Sequence, residues 1–164
     1  MATGKRASKA KTPRTRSKRT SRAKAVARDD AAPRHPLHPL SGADARRELA
    51  RVRRLCLALP EATEKLAWGT PTWRAGKIFA MFADHHHGTE HVALWIPAPK
   101  GAQEILVASE PARFFRPAYV GPSGWVGVIL TNIGDERLKA MVLEAYRLVA
   151  PKRAIARLPK VDDE

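Results

Sequence analysis

The uneven distribution of charged and apolar residues confines folding to the later part of this chain. Twelve of its thirty lysines and arginines lie within the first 34 residues, where large apolar side chains are almost absent. Such a segment buries too little apolar surface to offset the conformational entropy that folding costs. Up to Leu40, twelve basic and two acidic side chains give a formal charge of +10. We therefore predict a disordered basic tail over residues 1–40, which includes a proline-containing linker.

The basic tail predicts a polyanionic partner. Single or paired basic residues, among them Lys18, Arg19 and Arg22, recur every two to five positions between Ala, Ser, Thr and Pro. Cations spaced in this way neutralise phosphates and release condensed counterions whatever the base sequence. We expect DNA as the partner, with RNA as an alternative. Two other interpretations stay open, namely an organelle transit peptide and a solubilising extension without a specific partner.

The rest of the composition is typical of one small domain in a reducing compartment. Of the 164 residues, the 124 after Leu40 carry eighteen basic and fourteen acidic side chains, a formal charge of only +4. The single cysteine, Cys56, excludes an internal disulfide and a cysteine-rich zinc site. No apolar run approaches the roughly 18 residues that a membrane-spanning helix requires. We expect a cytoplasmic protein that does not contact membranes and is a monomer.

Hydrophobic periodicity predicts an α+β domain. A first helix should begin at Ser41 or Asp44, end before Pro60, and bury Leu49, Val52, Cys56 and Leu59. Strands are predicted over 65–68, 72–74, 77–83, 90–96 and 124–131, with Val92, Leu94 and Ile96 on one face and 77–83 in the centre. A short helix over 100–109 should turn Ile105 and Leu106 inward, and Asp135 should cap a last helix. This order predicts a sandwich with helices on one face of an antiparallel sheet and the other face open.

Four segments of this domain resemble the MmcQ/YjbR family. They are residues 59–64 (LPEATE), 68–79 (WGTPTWRAGKIF), 124–130 (GWVGVIL) and 145–153 (AYRLVAPKR), in the expected order within residues 41–158. The resemblance implies a CyaY-like fold, in which two helices pack on an antiparallel sheet. It also implies DNA binding through a winged arrangement of hairpins, and it implies no catalytic residues. The basic tail and the acidic C-terminal end, residues 159–164, lie outside the family pattern.

Several cations and one aromatic residue of the domain are candidates for nucleic-acid binding. Arg74 and Lys77 bracket Gly76 at a predicted hairpin tip, which can enter a groove or follow a backbone. The other candidates are Lys100, Arg116, Trp125, Lys152 and Arg153. Aromatic rings among cations can stack on bases while the cations hold phosphates. The alternative is that the four tryptophans belong to the core and the cations to an ordinary surface.

The sequence contains no clear metal-binding or catalytic motif. His85, His87 and His91 lie at or beside a predicted turn, a position that favours exposed loop histidines over a metal site. Iron binding of the frataxin type needs an acidic first helix, whereas Arg47, Arg51 and Arg54 line this one. No nucleophile elbow, glycine-rich phosphate loop or HExxH motif is present. We expect no metal, no cofactor and no catalytic residues.

Three hypotheses follow from these patterns. The first is a bacterial, nucleoid-associated DNA-binding protein without enzymatic activity, in which the tail contacts phosphates and the domain adds a winged or sheet-face contact. The second is a domain that binds a protein or small ligand, with a tail that only localises it to the nucleoid. The third is an uncharacterised enzyme, whose site would be assembled from residues distant in sequence.

Overall fold

The computed structural model describes residues 40–85 and 89–159. Lys18, Arg19, Arg22 and the rest of the basic tail up to residue 39 lie outside the described residues, as do His87 and residues 160–164. The predictions of tail disorder and of an acidic C-terminal end therefore stay predictions.

The described chain forms one mixed α+β unit. Its elements are α1 (Ala43–Leu57), β1 (Thr63–Ala67), β2 (Thr70–Ala75), β3 (Lys77–Asp84), β4 (Val92–Pro97), α2 (Ala102–Ser109), β5 (Phe114–Phe115), β6 (Trp125–Ile129), α3 (Asp135–Val149) and α4 (Lys152–Ile155). The six strands form one sheet in the order β1-β2-β3-β4-β6-β5, and every neighbouring pair is antiparallel. The predicted α+β fold is confirmed, and so is the central place of β3.

The main core lies between the sheet and helices α1 and α3. Trp73, Phe79 and Leu94 of the sheet are fully buried against an apolar stripe on each helix. The stripe on α1 contains Cys56, and burial raises the pKa of its thiol well above the usual range, so Cys56 is a packed thiol. The α3 stripe includes Tyr146, whose ring meets Phe79 edge to face at 5.4 Å. The predicted burial of Val92, Leu94 and Ile96 on this face is confirmed.

The second face of the sheet is not open, and here the sequence-based prediction was wrong. Met81, Ala83, Ala93 and Trp95 of the two central strands are buried on this face. The chain between Phe115 and Trp125 folds over them, because its apolar side chains pack against this cluster. Trp95 is consequently a core residue, as Trp73 is on the helical face. The sheet offers no broad platform of stacked tryptophans.

The helix ends and the short helix α2 also differ from the predictions. Neither Ser41 nor Asp135 caps a helix. Ser41 instead donates from its hydroxyl and its backbone N–H to the Asp84 carboxylate, each at 2.6 Å. Burial opposes ionisation of Asp84, but these hydrogen bonds outweigh it and lower its pKa. In α2, Ile105 is 68% exposed, and the buried residue is the polar Gln103.

The edge of the sheet depends on one residue without a side chain. The ring of Phe115 on β5 lies directly over Gly127 of β6, and an added Cβ there would sit 2.3 Å from the Phe115 Cζ atom. We expect Gly127→Ala to lower the free energy of unfolding by about 1–3 kcal/mol, the usual cost of overpacking. Chemical denaturation measures this change.

The control uses the same substitution without the crowding. An added Cβ at Gly134 meets nothing within 4 Å. Gly134→Ala should therefore lower the free energy of unfolding clearly less than Gly127→Ala does. Because a smaller side chain makes room, Phe115→Leu should recover part of the stability lost in Gly127→Ala. Equal losses of unfolding free energy in the two alanine variants would contradict the close approach of Phe115 to Gly127.

Candidate nucleic-acid interface

The strand register brings the candidate residues of the domain to one end of the sheet. Strands β2, β4 and β5 end there, and β3 and β6 begin there, because neighbouring strands are antiparallel. Lys77 is the first residue of β3, Trp125 is the first of β6, and Arg74 is the penultimate residue of β2. Arg116 directly follows β5, and Lys100 lies three positions after the end of β4. Five candidates from four separate parts of the sequence therefore share this end.

The two remaining candidates reach the same end through α4. An added Cβ at Gly76, the tip between β2 and β3, would lie 3.7 Å from the Cδ atom of Pro151. Pro151 directly precedes Lys152 and Arg153, the first two residues of α4. We call this surface the basic end, defined by Arg74, Lys77, Lys100, Arg116, Trp125, Lys152 and Arg153. The sequence suggested these residues one by one, and the fold places them together.

Four cations of the basic end remain available to an anion. Lys77, Lys100, Arg116 and Lys152 are exposed, and none of them forms an ion pair with a carboxylate of the described chain. An uncommitted surface cation binds a phosphate without first giving up a partner. These four residues are the strongest candidates for phosphate contacts.

The other three residues of the basic end are partly engaged in contacts within the protein. Arg153 pairs with Glu61 at 3.1 Å, although an exposed ion pair of this kind is weak enough to exchange for a phosphate. Arg74 is half-buried, with its Nε atom inside the protein. Trp125 is half-buried and packs against the cluster on the second face. Its ring can offer only part of its surface to a base.

Arg51 of α1 is largely buried and has a structural role. Arg51 donates to the carbonyl oxygens of Leu130 at 3.1 Å and Ile133 at 2.7 Å, and it pairs with Glu48 at 3.0 Å. Its Nε atom also lies 2.6 Å from a carboxylate oxygen of Asp135, as an ion pair rather than an aligned hydrogen bond. Arg51 therefore ties α1 to the start of α3.

The structure adds a feature that the sequence analysis missed. A shallow cavity of about 360 Å³ opens at the basic end between residues 98–104 and 116–124. Lys100 and Arg116 line it together with Glu104, Ser123 and Gly121. The glycines at 101, 121 and 124 were the available signal, but nothing in the sequence shows that these two segments meet. We call this feature the basic-end cavity.

His85 and His91 lie at the opposite end of the sheet. The Nδ1 atom of His85 lies 2.6 Å from a carboxylate oxygen of Asp84, and the His91 ring lies 6.3 Å from that of Phe115. Within residues 40–85 and 89–159, no three His, Cys, Asp or Glu side chains are grouped as metal ligands would be. No helix in this part of the chain is long and apolar enough to cross a membrane.

Comparison with known proteins identifies the family. The sequence model of the YjbR family matches residues 57–148, which is more than half of the chain, whereas no curated protein matches. Among solved structures, the fold is similar to the crystal structure of the Deinococcus radiodurans protein DR2400, described as having a DUF419 domain. The TM-score is 0.55 at 19% identity, over 67% of this chain and 86% of that one. The family match confirms the resemblance noted in the sequence: this chain belongs to the YjbR family.

Proposed function

We propose that this protein is a non-enzymatic DNA-binding protein of the bacterial nucleoid. The observation that carries the proposal is the convergence of seven candidate residues at one end of the sheet, four of them cations that form no ion pair within the described residues. Clusters of uncommitted cations attract polyphosphates and raise association rates. The basic end is the surface of the domain that we expect to contact DNA.

The tail and the basic end have different roles in this proposal. The tail carries a formal charge of +10 on 40 residues, so it supplies affinity that depends on salt and not on base sequence. The basic end is built from strand ends, the segments that follow β4 and β5, and α4, so the fold sets the backbone positions of its cations. Cations at set backbone positions select a phosphate geometry, whereas the cations of a disordered segment accept any. The domain is therefore expected to make binding sensitive to the form of the nucleic acid.

The charges of the basic end can be tested in the full-length protein. We expect the double change Lys77→Gln and Lys152→Gln to weaken binding of duplex DNA by roughly 10- to 30-fold at about 0.15 M salt, because two phosphate contacts are lost. The slope of log affinity against log salt should become shallower by about two. Fluorescence anisotropy over a salt series measures both quantities.

The matched control removes the same charge from the other end of the domain. Arg46 on α1 and Lys139 on α3 are exposed and make no ion pair in the described chain. Both helices start beside the opposite end of the sheet, since Ser41 binds Asp84 and α3 follows β6. Arg46→Gln with Lys139→Gln should leave the slope nearly unchanged. Equal losses for the two double variants would show that only net charge matters, and would refute a DNA contact by the basic end.

A second candidate function rests on an exposed aromatic residue at the opposite end. Trp68 lies in the turn between β1 and β2 and is 55% exposed, beside the exposed Leu66. Exposed tryptophans often anchor protein partners. In this alternative the domain binds a protein and the tail only localises it. Loss of a copurifying partner on Trp68→Ser, with DNA affinity unchanged in the Lys77→Gln and Lys152→Gln variant, would favour the alternative over the proposal.

A further inference from the structure

We propose that the basic-end cavity binds a phosphate monoester, carried on the end of a nucleic-acid strand or on a free nucleotide. The strand-end form rests on the proposed function, whereas the nucleotide form stands without it. The inference starts from the two cations of the cavity. Lys100 follows β4 and Arg116 follows β5, so two separate segments each bring one cation to the same space.

The charge of the cavity favours a dianion. Lys100 and Arg116 have no carboxylate partner in the described chain, and Glu104 is the single acidic residue of the lining. A phosphate within a nucleic-acid backbone carries one negative charge, whereas a monoester carries about −1.5 to −2 at neutral pH. Two cations in one lining therefore favour the monoester, and Ser123 of the same lining carries a hydroxyl that can donate a hydrogen bond.

The walls of the cavity are fixed before any ligand binds. Gln103 is only 4% exposed, and its side-chain amide donates to the carbonyl oxygen of Gly121 at 2.7 Å and to that of Trp125. These bonds tie α2 to the segment opposite. Two backbone hydrogen bonds stabilise that segment. The Gly121 N–H donates to the Pro117 carbonyl oxygen at 3.1 Å, and the Gly124 N–H donates to the Gly121 carbonyl oxygen at 3.0 Å. A preorganised site loses little entropy when a ligand binds.

Gly121 sets the position of Arg116. An added Cβ at Gly121 would lie 2.7 Å from the Cγ atom of Arg116. The aliphatic part of Arg116 thus packs directly on the Gly121 backbone, and Arg116 belongs to the lining of the cavity. We assign Gly121 as a positioning residue, since any side chain there must displace Arg116.

The dimensions agree with a phosphate attached to a sugar. The volume of about 360 Å³ lies near the lower end of the range of roughly 300–1,000 Å³ for ligand pockets. A strand end projects one phosphate and one sugar, which enter such a space from one side. A phosphate within a strand is bonded to a sugar on both sides and carries a single charge, so it gains less from the two cations.

The test compares short single-stranded DNA oligonucleotides of one sequence, with a 5′-phosphate, with a 3′-phosphate and with hydroxyl groups at both ends. With the full-length protein, we expect one phosphorylated form to bind about tenfold more tightly than the form without a terminal phosphate, as one extra charge-assisted contact predicts. Arg116→Gln and Lys100→Gln should each remove this preference. Gly121→Ala should reduce it while both cations remain.

Lys77→Gln is the matched control, because Lys77 belongs to the basic end but does not line the cavity. This substitution should weaken binding of all three oligonucleotides equally and leave the preference for a terminal phosphate unchanged. If the oligonucleotides bind equally well but adenosine monophosphate binds wild-type protein and not Arg116→Gln, the ligand is a free nucleotide. Equal binding of all oligonucleotides, with no binding of the monophosphate, would overturn the proposal. Tight binding of the unphosphorylated oligonucleotide would still support the proposed function in that case.

Discussion

Deletion of residues 1–39 should weaken binding of duplex DNA by at least about 100-fold at about 0.15 M salt and still leave measurable affinity. The deleted segment carries the twelve basic residues of the tail. If about six of them neutralise phosphates, the slope of log affinity against log salt becomes shallower by about five. The deletion stops before Leu40 because this residue packs against the core. Anisotropy titrations at several salt concentrations measure both effects.

The control for this deletion keeps the length of the tail and removes its charge. Replacement of its lysines and arginines by glutamine should weaken binding as much as the deletion does, because charge supplies the affinity. A tail without charge that binds as tightly as wild type would refute the electrostatic role. Complete loss of DNA binding on deletion would instead show that the basic end makes no contact of its own.

Arg51→Ala should lower the free energy of unfolding by about 3–5 kcal/mol, the usual cost of breaking a largely buried ion pair. Only 14% of the Arg51 side chain is exposed, and its partner Glu48 is almost fully buried. The substitution leaves the Glu48 carboxylate and the carbonyl oxygens of Leu130 and Ile133 without this donor. Urea denaturation with tryptophan fluorescence measures the change, since Trp73 and Trp95 lie in the core.

Arg54 supplies the matched control on the same helix. It also faces Asp135, at 3.7 Å, but its side chain is 70% exposed. Exposed ion pairs contribute about 0–1 kcal/mol, so Arg54→Ala should change stability by no more than that. The assignment of Arg51 as a structural residue fails if the two alanine variants are equally stable.

Local patterns in the sequence were sufficient for the element order and for the core of the helical face. The alternation of Val92, Leu94 and Ile96 and the spacing of Leu49, Val52 and Cys56 predicted their burial, because strand and helix periods decide which residues share a face. The same reasoning placed β3 at the centre, since residues 77–83 are too apolar for an edge strand. The motifs at residues 59–64, 68–79, 124–130 and 145–153 indicated the family that the family model confirms.

Contacts between distant segments were beyond sequence reasoning. The burial of Trp95 depends on residues 115–125 folding over the second face, and the cavity depends on Lys100 and Arg116, 16 positions apart, lining the same space. The different roles of Arg51 and Arg54, three residues apart on α1, depend on where α3 begins. Periodicity reports which face a residue lies on, but not what packs against that face.

The salt dependence of DNA binding by the intact protein tests the central claim most directly. The measurement is the affinity of full-length protein for duplex DNA from about 0.05 to 0.3 M salt. We predict measurable binding at about 0.15 M and a log–log slope of −5 or steeper, because the tail and the basic end both neutralise phosphates. Binding that is absent at this salt concentration, or that does not change with salt, would contradict the account.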